Sequence, residues 1–237
     1  MSRSPHSTTT QLTRAAYGAA LALTLSLVAA VPVAGQDASF FITSSGPGDG
    51  AALGGLAGAD AHCASLASAA GLPGGDWRAY LSTVATDGNQ SVNARDRIGS
   101  GPWYNVEGVQ VARSVDHLHS EENNLTKQTV LTENGQEING RGDDPNRHDI
   151  LTGSDLQGRA VAGQGDTTCR NWTSNGSDGS ALVGHHDRTG GGDNPTSWNS
   201  AHGSRGCGQA DLQGTGGDGL FYCFAAGGGD QEETLED

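Results

Sequence analysis

The sequence predicts a single α+β domain, rich in loops and cross-linked by disulfides. Three observations carry that prediction. Short β-prone apolar runs stand near either end of the chain, one alanine-rich stretch has helical periodicity, and glycine occupies 38 of 237 positions, roughly double the usual share. The glycines follow no fixed period, which excludes a collagen-like chain. Trp77, Trp103, Trp172 and Trp198 supply large apolar anchors and argue against wholesale disorder.

Ser39 to Thr43 is a short apolar, β-prone run before the turn cluster Ser44 to Gly50, and reads as a first strand. Leu56, Ala59, Cys63, Leu66 and Ala70 then recur every three or four residues. That is one face of a helix, with Cys63 on the buried side and Gly71-Leu72-Pro73 as the stop. Trp77 to Thr83 reads as a second strand, with Trp77, Ala79 and Leu81 alternating against Arg78 and Tyr80. Ser91 to Ile98 is expected as a short second helix ended by Gly99. From there to about Gly165 turn signals dominate, among them Gly101-Pro102, Asn134-Gly135 and Asp144-Pro145. Hairpin strands are expected at Val109 to Arg113 and Thr129 to Glu133. Trp103, Tyr104, Leu118, Ile138, Ile150 and Leu151 punctuate this middle, which therefore reads as ordered loops. Three apolar pieces follow, around Trp172, at Ala181 to Val183, and at Leu220 to Ala225, the last being the best strand of the C-terminal half.

The ends have a different character. Arg3 and Arg14 precede an apolar run from Ala15 to Val31, then Pro32 and the small residues Val33-Ala34-Gly35, which is the pattern of a secretory signal peptide spanning residues 1–35. The run is short for a membrane-spanning helix. Residues 36–225 form the expected domain, long enough for one core and too short for two. Residues 226–237 read as a disordered acidic tail. The formal charge is −14, with Lys127 the only lysine, and loss of Arg3 and Arg14 with the leader would make it −16. Such a chain is a poor match for a phosphate backbone or an anionic lipid surface, so neither nucleic-acid binding nor membrane insertion after leader cleavage is expected. An exported chain meets an oxidising compartment, where Cys63, Cys169, Cys207 and Cys223 form two disulfides. Sequence alone leaves three connectivities open. Localisation is expected to be extracellular or periplasmic.

The order of strand, cysteine-bearing helix, strand, long loops and late short strands with three cysteines resembles the C-type lectin-like fold. The segments Ala59-Asp60-Ala61-His62-Cys63, Cys169-Arg170-Asn171-Trp172-Thr173 and Ser197-Trp198-Asn199-Ser200 look more specifically like secreted bacterial lectins related to its endostatin-like branch. The resemblance covers about Ser39 to Ala225. It implies the pairings Cys63–Cys223 and Cys169–Cys207, and one or two helices packed on short antiparallel sheets with long ordered loops. It also implies carbohydrate binding. The family's usual calcium tripeptides are absent: Trp198-Asn199 is followed by Ser200, and Asp144-Pro145-Asn146 is the nearest approach to the proline-centred one.

Candidate functional residues cluster late in the chain. A saccharide site needs an aromatic face and planar hydrogen-bonding partners, which Asn171, Trp172, His186, Asp187, Trp198, Asn199 and His202 would supply. His185, Asp187 and His202 are candidate zinc ligands. Adjacent residues of a strand face opposite ways, so His185 and His186 are not expected at one ion. Asp143, Asp144, Asn146 and Asp149 offer hard oxygens of the kind calcium takes. No G-x-S-x-G elbow, H-E-x-x-H or phosphate loop occurs, and bridged cysteines leave no thiol nucleophile, so nothing in the sequence supports catalysis. The leading expectation is a secreted glycan- or polysaccharide-binding module. The alternatives are a protein-binding adhesin or matrix component on the same fold and, behind both, a zinc-dependent hydrolase.

Overall fold

The computed structural model describes Met1 and residues 38–86, 88–163 and 165–227. The remainder of the expected leader, and the acidic tail from residue 228, lie outside the described residues. The described part is α+β, with few helices, short strands and two disulfides.

The organising element is the last strand, β8 (Gly217–Ala225), of which residues 220–224 are all fully buried. A strand covered on both faces needs apolar side chains in both phases of its two-residue repeat. Leu220-Phe221-Tyr222-Cys223-Phe224 meets that requirement. Its C-terminal half is flanked by β1 (Phe40–Ile42) and β2 (Trp77–Ala79), both antiparallel, with Phe41 and Ala79 each opposite Cys223. Its N-terminal half pairs with β5 (Asp149–Leu151), which runs parallel to it. The sheet continues through β6 (Leu182–His185) to β7 (His202–Gly203), both antiparallel. The sheet is therefore mixed, and the β5–β8 pair corrects the expectation of antiparallel sheets alone. A separate ribbon joins β3 (Trp103–Tyr104) to β4 (Gln110–Ala112).

Alternation along these strands sorts the core into two layers. Phe41, Trp77, Ala79, Leu81, Phe221 and Cys223 pack on one side with helix α1 (Gly55–Ala69), which buries Ala59, Cys63 and Ala67. Small side chains at that spacing let the helix axis approach the sheet closely. Phe40, Ile42, Tyr80, Trp103, Trp198, Tyr222 and Phe224 form the second layer under the loops. Arg97 and Arg78 reach Asp60 on α1 at 2.7 Å and 3.0 Å, and Asp60 also accepts the Ala79 backbone N–H. The helix is thereby fixed to β2.

Several expectations are revised. Ser91 to Ile98 forms only a 3-10 turn, Ala94–Asp96. Thr129 to Glu133 contributes isolated bridges rather than a strand. Tyr80, expected to alternate outward, is buried in the second layer, because the loops cover that face of the sheet as well. Short helices stand at α2 (Val115–Leu118) and α4 (Gln209–Gln213). Around Trp172 the single turn α3 (Cys169–Trp172) is left-handed, with φ between 50° and 66° at all four residues. Left-handed backbone costs an L-residue roughly 1–2 kcal/mol, so this turn persists only because its surroundings over-determine it. Cys169 is bridged, Trp172 Nε1 donates to the Ser82 carbonyl at 2.8 Å, and Asn171 clamps both the N–H and the carbonyl of Val84.

The bridges join Cys63 to Cys223 and Cys169 to Cys207, with Cα separations of 5.7 Å and 5.6 Å. They close loops of 160 and 38 residues, for which chain entropy gives roughly 5 and 4 kcal/mol. A Cys63→Ser, Cys223→Ser double variant should therefore unfold at a much lower urea concentration, with a loss of several kcal/mol. An unchanged urea midpoint would contradict this role for the outer bridge.

Candidate functional site: a double polar cavity beside a histidine cluster

Two cavities lie side by side over the second core layer. The first, about 330 Å³, is floored by Trp198 and Asn199 and walled by His119, Ser120 and Glu121. The second, about 500 Å³, is walled by Ala160 to Ala162 and by His202. Leu156, Gln157, Asp193 and Asn194 line both, so they form the ridge between them. Leu156 is 41% exposed, one of the few large apolar side chains at the surface among the described residues.

The loops that shape the cavities are fixed by buried polar side chains. Asn199 Nδ2 donates to the Tyr80 hydroxyl at 3.1 Å and to the Asp155 carbonyl at 2.9 Å. The Tyr80 hydroxyl donates onward to His119 Nε2 at 2.7 Å, and His119 Nδ1 donates to the Val115 carbonyl at 2.7 Å. Burial lifts the Tyr80 phenol well above its usual range and lowers the His119 pKa, so both groups are neutral as this chain of donors requires. Arg188, at a left-handed turn (φ 56°), donates to the Leu125 and Thr196 carbonyls and to Asn123, leaving it engaged with the loops rather than free for an anion. Gly184 lets β6 run directly under Trp198: a Cβ there would overlap the Trp198 carbonyl.

No protein-family model matches the chain, and no curated protein is similar enough to count as a relative. The geometry of the site stands alone.

The seven residues expected to form one saccharide cleft are not gathered in one place. Trp198 and Asn199 floor the first cavity and His202 walls the second. Asn171 and Trp172 instead lock the left-handed turn, and Trp172 is 0% exposed. An aromatic platform must show its face, and Trp198 at 3% exposure presents no more than an edge. The stacking face expected of Trp172 or Trp198 is offered by neither: both rings belong to the core. His186 is buried, pointing its Nε2 at the Asn139 carbonyl at 3.2 Å. Asp187 accepts the Arg141 and Thr189 backbone N–H groups at 2.6 Å and 3.2 Å.

Beneath the second cavity lies a cluster that sequence reasoning assembled only in part. Register places Asp149 directly opposite His185, and Val183 opposite His202. His148 Nε2, His185 Nε2 and His202 Nε2 lie 3.1, 3.3 and 3.5 Å from one oxygen, Asp149 Oδ1. The His148 and His185 rings stack with centroids 4.2 Å apart. Of the expected zinc set, His185 and His202 are present, but the carboxylate at the centre is Asp149. Asp187 stands behind it, 3.3 Å from His148 Nδ1. His185 Nε2 faces Asp149, whereas His186 Nε2 faces the Asn139 carbonyl. The expected calcium set is dispersed: Asp143 pairs with Lys127 at 2.5 Å, Asp149 is among the histidines, and Asp144 and Asn146 line a third cavity with Arg147.

Two expected outcomes follow. The folded His119 titrates below the 6.5 of a free imidazole, so the native state binds fewer protons than the unfolded chain as pH falls below that value. The stability associated with His119 is therefore lost on acidification. The histidine resonance of His119 should titrate below 6.5 by NMR, and His119→Gln should flatten the fall in stability between pH 7 and pH 5; an ordinary pKa would contradict both. Gly184→Ala should lower stability by about 1–3 kcal/mol through overpacking against Trp198, and thermal unfolding reads this directly.

Proposed function

We propose that the chain is an exported glycan-binding module on a C-type lectin-like scaffold, with the double cavity as its saccharide site. The observation that carries this reading is the ridge itself: an exposed apolar side chain, Leu156, set among side-chain amides and a carboxylate, Gln157, Asn194 and Asp193. A pyranose ring has an apolar C–H face and a rim of hydroxyls. The first suits Leu156, and the rim suits groups that each donate or accept in a plane. Hydrogen bonding and shape, rather than aromatic stacking, carry recognition on this reading.

The scaffold assignment draws support from the pairing of the helix cysteine with the terminal strand and of the two middle cysteines with each other. Export draws support from the same disulfides, from the leader pattern, and from the fact that no helix among the described residues is long and apolar enough to cross a membrane. Charge narrows the ligand class. Glu121, Asp155 and Asp193 line the cavities of a chain whose net charge is −14, so neutral or amine-bearing saccharides are favoured over uronic or sulfated ones.

A glycan array probed with the folded, disulfide-bonded domain should show saturable binding to neutral saccharides that free sugar displaces. Gln157→Ala and Asp193→Ala should each weaken that binding about tenfold, the worth of one hydrogen bond of ~1.4 kcal/mol, with the melting temperature unchanged. Silence across the array, or binding indifferent to both substitutions, would overturn the reading.

A further inference from the structure

From the histidine cluster we infer a zinc site formed by His148, Asp149 and His185, with His202 as the fourth ligand on its outer side. The histidine tautomers are set from outside the cluster. His185 Nδ1 lies 2.8 Å from the Pro195 carbonyl, His202 Nδ1 lies 3.1 Å from the Gly203 carbonyl, and His148 Nδ1 lies 3.3 Å from Asp187 Oδ1. Carbonyl and carboxylate oxygens only accept, so each Nδ1 carries a proton, and in a neutral ring each Nε2 then presents a lone pair. Three such lone pairs face one carboxylate oxygen. Acceptors gathered on an acceptor repel unless a proton or a metal cation lies among them, and one metal ion would serve all three nitrogens at once.

Hydrogen bonds are missing at the centre of the cluster. Asp149 Oδ1 and Oδ2 and His185 Nε2 are buried without a hydrogen-bond partner among the described residues. Unsatisfied buried groups are costly, and three at one point call for a partner such as an ion. The distances to Asp149 Oδ1 suit zinc. A tetrahedral zinc ion with bonds of about 2.0–2.1 Å separates its ligands by about 3.3 Å, and the nitrogen-to-Oδ1 distances are 3.1, 3.3 and 3.5 Å. The donor atoms of His148, Asp149 and His185 lie within 4.8 Å of one another. Nitrogen ligands with one carboxylate suit zinc rather than calcium or magnesium.

The outer partners match as well. Asp187 orients His148 and is itself held by the Arg141 and Thr189 backbone N–H groups, an arrangement that fixes a ligand's tautomer and basicity. His202 Nε2, 3.5 Å from Asp149 Oδ1 but outside the mutually close set of three, would have to turn inward to fill the tetrahedron; with it in place the ion is structural. It ties β5, β6 and β7 together at the base of the second cavity, and holds the segment between His185 and His202 that carries Asp193 and Asn194. This inference does not rest on the glycan reading.

The test is metal content after stripping with chelator, incubation with zinc and gel filtration. The wild-type protein should carry one zinc per chain, melt at least about 5 °C higher than the stripped form, and give tetrahedral d–d absorption with cobalt. His202→Gln, at the part-exposed ligand, should fold and bind zinc at least tenfold more weakly, as should Asp187→Asn. Asp149→Asn should abolish binding. His62→Gln, at a half-buried histidine bonded to the Ser45 carbonyl and remote in the fold from the cluster, should bind as the wild type does. Folded wild-type protein that takes up no stoichiometric zinc, or that keeps wild-type affinity in both His202→Gln and Asp149→Asn, would overturn the site, and would do so whether or not the array shows saccharide binding.

Discussion

The rest of the structure depends on one strand. β8 is paired along both edges, with β1 and β2 at one end and β5 at the other, and a disulfide anchors it to α1. Its apolar run supplies both core layers at once. Everything polar that matters is positioned by it at second hand: β8 sets β5, β5 sets β6, and β6 sets β7. Asp149, His185 and His202 meet because two successive strand registers, β5 on β6 and β6 on β7, bring them together. A slip of one residue would turn any of them to the opposite face.

Loops make up much of the molecule, and they are held by side chains rather than by ladders. Asn105 bonds the backbone of Glu107, Val109 and Thr129, Asn123 bonds that of Leu118, Ser120 and Leu125, and Asn199 reaches Tyr80 and Asp155. Each is a short planar side chain that can satisfy a donor and an acceptor together. This explains how a chain with few strands keeps a cavity open: buried amides do the work that sheet hydrogen bonds do elsewhere. It also explains why several residues that look like ligand-binding groups are unavailable for a ligand. Asn171, Asp187 and Asn199 spend their hydrogen bonds on the protein.

The local signals in the sequence proved legible where the period was clear. The face containing Ala59 and Cys63 packs inward on α1, and Leu220 to Ala225 lies within the strongest strand. Ser91 to Ile98 failed as a helix because Asn93 Nδ2 bonds Asp96 and Asn93 Oδ1 accepts from Ala160, which favours a tight turn joined to a distant loop. The burial of Trp172 is not legible locally, because an exposed aromatic and a core aromatic have the same local sequence; its left-handed turn depends on Cys207 and Val84, both far away. For the histidine cluster, His185 and His202 were visible as a polar concentration. Asp149 was visible only as one of several acidic residues, and His148 was not singled out. The available signal was His148-Asp149 placed directly before the apolar Ile150-Leu151, two titratable groups at the mouth of a buried strand. Its pairing with a strand over thirty residues later is set by sheet register, which no local pattern encodes.

The cluster is also where the argument can be tested at atomic detail. A crystal of the zinc-loaded protein, measured on both sides of the zinc absorption edge, would locate the metal without prior assumption. The account predicts one strong anomalous peak, about 2.0–2.1 Å from His148 Nε2, His185 Nε2 and an Asp149 oxygen, with His202 closing the shell. No peak among these side chains, or a peak only at other histidines such as His62, would contradict it.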